Sequence, residues 1–365
     1  MRYAHKSDLP VRPPVGTSRH RPVRAGPAVT ATRLLRLAPR LLFLVGGTAL
    51  GVVLLVLLLR SVDLGQLGNA FSRVDYAYLA LAIVPFLVNL LVKVPRWGLL
   101  FGADQPKWDT LFGAMNVGYA VNSLVPVRLG ELVRAYWIRD RTGLGMVRTL
   151  STIAVERITD GVAVLLLLFV TAPTVAFPGK LLGPAITVGV VLLVAMTGIV
   201  VLVYTSTREN HPLSRLLDRL EHGRGGVIAR ALRQAITGLG ALRHRRALSL
   251  LLLYTVLIWA SNSLLLWLVL RAFHIEVPLT AGVLITAVLN LGMAVPSSPG
   301  YVGVFDYLMV LMLALYHVAK TPAVAASLAF HAIAFVPVTI IGIIYLARTG
   351  LQVTLRMLRT ASPPG

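Results

Sequence analysis

The sequence predicts an all-α, polytopic membrane protein: about six full helical spans plus two broken, re-entrant hairpins of opposite orientation, or about eight transmembrane segments if the hairpins cross fully. Three observations carry this. Hydrophobic residues make up 56% of the chain and charged residues only 13%, too few for the charged shell of a soluble protein of 365 residues. Several runs of roughly 18 or more residues are nearly free of charge, enough to cross about 30 Å of hydrocarbon. The basic residues gather between these runs, and they do so unevenly.

The full spans are predicted at Leu41–Leu59, Tyr76–Val92, Ile153–Thr171, Ala185–Tyr204, Ala247–Val269 and Val324–Ala347. The tail before Leu41 and the segment Ser206–Arg246 hold nine Lys or Arg each, whereas Ser61–Asp75 and Ala172–Gly183 hold one each, Arg73 and Lys180. By the positive-inside rule the basic segments are cytoplasmic and the sparse connections external. The end beyond Ala347, with Arg348, Arg356 and Arg359, also goes inside, so both termini face the cytoplasm of a multi-pass protein of the cell membrane.

Residues 1–38, with "VRPPVGTSRHRPVRAGP", read as a disordered basic tail, 39–350 as the membrane domain and 351–365 as a short cytoplasmic tail. A short apolar run beside a small-residue cleavage site is missing near the start, so no cleavable signal peptide is expected. Within 206–246, Leu213, Leu216, Leu217 and Leu220, then Ile228, Leu232, Ile236 and Leu239, recur at helical spacing among arginines. That pattern suits amphipathic helices on the inner leaflet, or a regulatory docking site.

Two apolar segments are interrupted. Trp108–Leu124 carries Asn116, Asn122 and Ser123 and runs into "NSLVPVRLGELVRAYWIRDR"; Leu279–Val295 runs into "PSSPGYVGVFD". Each break leaves backbone groups unpaired, tolerable at membrane depth only where protein or a wet cavity satisfies them. Charge-derived orientation makes the first segment enter and leave from the cytoplasm and the second from outside. Each has an Asn before a Pro and an acid beyond a Gly: Asn122, Pro126, Gly130 and Glu131; Asn290, Pro296, Gly303 and Asp306. Pro299 and Gly300 add to the second break, and such paired interruptions point to a transporter's binding site. Two ordinary hairpins that cross fully are the alternative.

The net charge of +21 raises the question of nucleic acid, but zinc-finger spacing and aromatic RNA-binding motifs are missing, and the arginines are placed for anionic lipid. The lack of cysteine removes disulfides, thiolate metal sites and cysteine nucleophiles. The polar chemistry is elsewhere. In "VRTLSTIAVERITDGVAVLLLLFV", Glu156 and Asp160 share a helix face and Arg157 lies between them, below the interface. Arg128, Glu131 and Arg134 recur every third residue, so these six charges form a balanced set. They can act as a packing clamp, as a grip on a lipid phosphate, or as both. Arg96 and Trp97 read as an interfacial anchor pair. His331 and Asp306 read as a hydrogen-bonded pair or a proton relay.

Arg96-Trp97, "NSLVPVRLGELVRAY", "ERITDG" and "PSSPGYVGVFD", in that order and among spans, resemble the lysylphosphatidylglycerol synthase transmembrane-region family, the flippase-like domain, over roughly Leu41 to Arg348. The resemblance implies movement of a lipid with a charged or glycosylated head group (phospholipid, hopanoid or polyprenyl-linked) between leaflets. It places the polar motif on Asn122, Pro126, Arg128, Gly130, Glu131, Arg134, Glu156, Arg157 and Asp160, and the second motif on Pro296, Pro299, Gly300 and Gly303. Where the family usually has Glu after the glycine motif, this chain has the shorter Asp306. The lysyl-transferring relatives carry a soluble synthase domain; this chain ends soon after Arg359, so aminoacyl transfer is not expected of it.

The expected head-group site is therefore Asn122, Arg128, Glu131, Arg134, Glu156, Arg157, Asp160 and Asp306, with hinges at Pro126, Gly130, Pro296, Pro299, Gly300 and Gly303. No catalytic residue, metal or cofactor is expected. The expected partners are membrane lipids, anionic or polyprenyl-linked, and a synthase or glycosyltransferase that supplies them, but not nucleic acid. The alternatives are a membrane-embedded glycosyl or phosphoglycosyl transferase acting on a polyprenyl phosphate, and a non-transporting subunit of a membrane complex. No Asp-x-Asp occurs to favour the first.

Overall fold

Two aspartates start successive helices early in the chain. Asp63 accepts from the N–H groups of Gly65 and Gln66, and Asp75 from that of Ala77, each capping a helix start. The computed structural model describes residues 48–125, 129–174, 245–293 and 298–361, with Val190 and Val194, all within one compact unit. The basic tail, the predicted span Ala185–Tyr204, the amphipathic segment before Arg245, and Pro126, Arg128 and Pro296 lie outside the described residues.

All regular structure among the described residues is helical. The elements are α1 (Thr48–Arg60), α2 (Leu64–Ser72), α3 (Tyr76–Leu99), α4 (Trp108–Leu124), α5 (Gly130–Thr142), α6 (Met146–Thr171), α7 (Arg245–Ala272), α8 (Leu279–Gly292), α9 (Val304–Ala314) and α10 (Lys320–Ala361). Helices α3, α7 and the Lys320–Thr349 part of α10 are long and apolar enough to cross a membrane. Helix α1 turns into α2 through 84°, which takes the predicted external connection away from the span axis. With 14 residues, α8 reaches about 21 Å, short of the hydrocarbon thickness.

Helix α6 is long but carries Glu156, Arg157 and Asp160 in its middle. It begins at Met146 and α3 runs on to Leu99, so both extend seven residues past their predicted cytoplasmic ends. The extra turns are held by protein contacts, which apolar periodicity does not register.

Helices α3 and α7 run antiparallel as the central pair. The Asp75 N–H donates to the Ala272 carbonyl at 2.9 Å, and the Asn89 amide donates to the Ile258 carbonyl at 3.0 Å and to Ser261 Oγ at 3.2 Å. Around this pair lie two packing centres. One joins Val94, Trp97, Leu111, Met115, Trp137 and Ile153 from α3 to α6; the other joins α7 to α10 through Leu266, Ile285, Phe305, Met309, Leu313 and Val324. Val164, Trp259 and Ala287 connect α6, α7 and α8. Large apolar side chains also face outward, among them Val84 on α3, Val256 on α7 and Ile340 on α10. That surface suits lipid as its solvent.

The predicted breaks fall between α4 and α5 and between α8 and α9. In the second, Pro299–Tyr301 forms a single 3₁₀ turn, with Gly300 at φ 61°, Tyr301 at φ 62° and Gly303 at φ 85°. Gly300 lies against the backbone of Ser123 at the end of α4: a Cβ built there would stand 3.4 Å from the Ser123 carbonyl oxygen. The two breaks therefore meet. A Cβ on Gly303 would strike the Gly51 carbonyl of α1, whereas one on Gly145 would meet nothing within 4 Å. Gly303→Ala is accordingly expected to destabilise by about 1–3 kcal/mol, and Gly145→Ala by much less, read as thermal unfolding midpoints in detergent.

Candidate functional site

The polar centre is built on α6, where Glu156 and Asp160 stand one turn apart. The Glu156 side chain is only 1% exposed, and three guanidinium groups surround it. Arg134 Nη2 from α5 and Arg157 Nη2 each donate to it at 2.7 Å, and Arg96 Nη2 from α3 lies 3.7 Å away. Arg96 also grips Asp160 with both terminal nitrogens, Nη2 to Oδ2 at 3.1 Å and Nη1 to Oδ1. This fork-to-fork pairing is the geometry that guanidinium and carboxylate favour. Arg157 lies 3.8 Å from Asp160.

Three arginines thus share two carboxylates, and burial separates their roles. The Arg96 and Arg134 side chains are 3% exposed, but that of Arg157 is 50% exposed. The first two are committed to neutralising Glu156 and Asp160. Arg157 makes as short a contact to Glu156 as Arg134 does, but it alone of the three is half-exposed, with Glu131 near enough to act on its charge.

Arg96 and Trp97 are not an interfacial anchor. Trp97 is fully buried, its indole N–H donates to Thr152 Oγ1 at 3.0 Å, and the Arg134 guanidinium stacks over its ring at 4.0 Å. Because α3 continues to Leu99 between α4 and α6, these residues face protein where an anchor would face head groups. The balanced set of six charges changes accordingly. Arg128 lies outside the described residues, Arg96 joins the network, and Glu131 lines the adjoining cavity.

The first break places Arg134. Asn122 Oδ1 accepts from the Gly130 N–H at 2.8 Å, satisfying a donor at the start of α5. A Cβ on Gly130 would strike the Gly118 carbonyl, so only glycine allows α5 to begin this close to α4. One turn later Arg134 passes Gly118, its side-chain carbons 2.6–2.9 Å from where a Cβ there would stand, and reaches Glu156. Two turns on, α5 ends at Gly143, left-handed at φ 76°, beside the exposed Arg139 and Asp140.

A cavity of about 560 Å³ opens beside the network. Lys93, Glu131, Arg134, Glu156, Arg157 and Asp160 line it from the first packing centre. Tyr301, Phe305, Phe330 and Phe335 line it from the second, and the amides of Asn122, Asn262 and Asn290 complete it. Of the sequence-predicted residues, Asn122, Glu131, Arg134, Glu156, Arg157 and Asp160 come together here. Among the described residues no three His, Asp or Glu side chains gather to hold a metal ion.

A model of the lysylphosphatidylglycerol synthase transmembrane region matches residues 44–342. The chain belongs to that family. It is 24% identical over 232 residues to a UPF0104 membrane protein of Methanocaldococcus jannaschii, covering 61% of this chain and 92% of the relative. It is 26% identical over 313 residues to a UPF0104 membrane protein of Methanothermobacter thermautotrophicus, covering 81% and 91%. It is 25% identical over 331 residues to the glycosyltransferase AglD of Haloferax volcanii, covering 82% of this chain but 53% of that one, so the chain spans about half of AglD. No solved structure matches.

The second motif of the lysylphosphatidylglycerol synthase family behaves differently from the first. Asp306 has no exposed surface and is not among the residues lining the cavity. Its carboxylate accepts from the Gly303 N–H at 3.0 Å and from Ser327 Oγ at 2.8 Å, and it faces His331. Asp306 therefore caps α9 as the N3 acid of a helix start.

Lys93, Arg96, Asn262 and the aromatic side of the cavity were not anticipated. Charges at the end of an apolar run are the only signal the sequence carries for the first two. Removing the hub charge should be costly. Glu156→Gln leaves Arg134 buried without its carboxylate and is expected to destabilise by about 3–5 kcal/mol. Arg157→Gln, at a half-exposed side chain, should cost under about 1 kcal/mol, with unfolding in detergent as the measurement for both.

Proposed function

We propose that this protein carries a lipid with an anionic or glycosylated head group between the leaflets of the cell membrane, and that the cavity beside Arg157 is the head-group site. One observation carries the reading: a half-open guanidinium, anchored to Glu156 from behind, stands at the edge of a 560 Å³ cavity. Guanidinium is suited to phosphate oxygens, and the neighbouring asparagine amides to hydroxyls. Glu156 lies ten residues into α6, about 15 Å along a helix of about 39 Å, a depth fit for a midplane site.

In this reading the chain has about six full spans. The α4–α5 and α8–α9 pairs are hairpins that enter from opposite faces and touch at Ser123 and Gly300. Residues 1–38, 206–246 and 351–365 are cytoplasmic, where their arginines collect anionic lipid. A separate synthase or glycosyltransferase supplies the lipid.

AglD is named a glycosyltransferase, which raises transfer to a polyprenyl phosphate as a second reading. Such a reaction needs a carboxylate free to take a proton or hold a metal. Glu156 and Asp160 are both occupied by arginines, which favours the carrier and leaves Glu131 as the one other carboxylate lining the cavity among the described residues.

Two measurements test the proposal. In proteoliposomes, Arg157→Ala is expected to slow exchange of a labelled anionic phospholipid at least about tenfold while the chain stays folded. Equal rates would overturn the site, and no movement of any anionic or polyprenyl-linked lipid would favour the enzyme or a non-transporting subunit. The natural lack of cysteine also allows single cysteines at Ser123 and Ser297 to be labelled from each side of the membrane. Labelling of Ser123→Cys from the outside only would overturn the cytoplasmic hairpin.

A further inference from the structure

The second break contains a buried pair of titratable groups that the proposed carrier site does not use. His331, on α10, is nearly enclosed: its side chain is 12% exposed and its ring is packed between Phe305 and Phe335. Its Nε2 lies 2.9 Å from the Gly300 carbonyl oxygen, and its Nδ1 lies 3.4 Å from Asp306 Oδ2. Both neighbours are acceptors. A neutral imidazole carries one N–H and one lone pair, so it satisfies only one of them and turns a lone pair on the other. A ring with two protons satisfies both, and the buried Asp306 carboxylate balances its charge.

The Gly300 carbonyl belongs to a turn that needs holding. Gly300 and Tyr301 are left-handed in succession, at φ 61° and 62°, and for tyrosine that conformation is strained. The same turn is the part of the second break that lies against Ser123 of the first. Tyr301, Phe305 and Phe335 line the cavity, so the ring is one side chain away from it.

Among the described residues, α9 turns Asp306 on the ring, the turn carries the phenol of Tyr301 packed on Phe335, and α10 places the Ser327 hydroxyl on Asp306 one turn below the ring.

We propose that Asp306 and His331 form a proton-binding site that latches the second break against the first. With the ring doubly protonated, the turn is held by Nε2–H to the Gly300 carbonyl and by Nδ1–H toward Asp306. When the ring gives its Nε2 proton to water at its exposed edge, Nδ1–H stays with the Asp306 carboxylate and the Gly300 contact becomes acceptor against acceptor. The strained turn is then released and the junction at Ser123 opens. The latch is fully present at low pH and lost as pH rises. The inference rests on the geometry of the break and not on lipid movement.

The test reads the junction itself. Ser123→Cys is introduced into the cysteine-free chain, and its maleimide labelling is followed in detergent from about pH 5.5 to 8, the range in which histidine changes charge. Rates are normalised to the same chain unfolded at each pH, which removes the reagent's own dependence. Labelling is expected to rise about tenfold with pH, and His331→Gln, which keeps a donor for Gly300 but does not titrate there, is expected to make it flat. Asp306→Asn removes the charge that faces Nδ1 and is expected to shrink the rise over this pH range. It carries the test if the glutamine variant does not fold. Labelling that ignores pH in the parent, a rise that persists in His331→Gln, or an undiminished rise in Asp306→Asn each overturns the proposal. Because no lipid has to move, failure of the latch and failure of the carrier reading are told apart.

Discussion

A single carboxylate organises the first half of this protein. Glu156 is sunk in a helix that otherwise reads as a membrane span, and an ion at such depth persists only if other groups replace its water. Here the replacement comes from three helices: Arg96 on α3, Arg134 on α5 and Arg157 on α6 itself. Satisfying one charge therefore fixes where three helices stand. The close approach of α5 to α4 at Gly118 and Gly130, and the Trp97 platform under Arg134, follow from that need.

Three guanidiniums share two carboxylates here, and they differ in exposure. Arg96 and Arg134 form a buried clamp, and Arg157 presents its charge at the cavity edge, held by its bond to Glu156. Rigidity matters because a guanidinium already locked in place loses less freedom on gripping phosphate than a free side chain does.

The second break answers the same membrane problem by other means. Asp306 caps its own helix and ties it to Ser327, so this acid serves the backbone, where its counterpart on α6 serves side chains. Placing left-handed residues at a junction between two broken segments concentrates strain where the two packing centres meet.

Much of this was legible in the residues alone. Uncharged runs marked α3, α7 and α10, because hydrocarbon thickness sets a length that composition reveals. Prolines and glycines marked both breaks, and the i,i+4 spacing put Glu156 and Asp160 on one face, since helix geometry is local. The family resemblance agrees with the match over residues 44–342. What the residues did not reveal was who pairs with whom. Arg96 looked like an anchor because its local setting, the end of an apolar run beside a tryptophan, is that of an anchor; only the packing of α5 and α6 on that turn makes it a buried ligand of Asp160. Asp306 and Glu156 looked alike as intramembrane acids, and the fold assigned one to a helix cap and the other to a charge network. Pairing is a property of distance through space, and sequence spacing reports distance only along one helix.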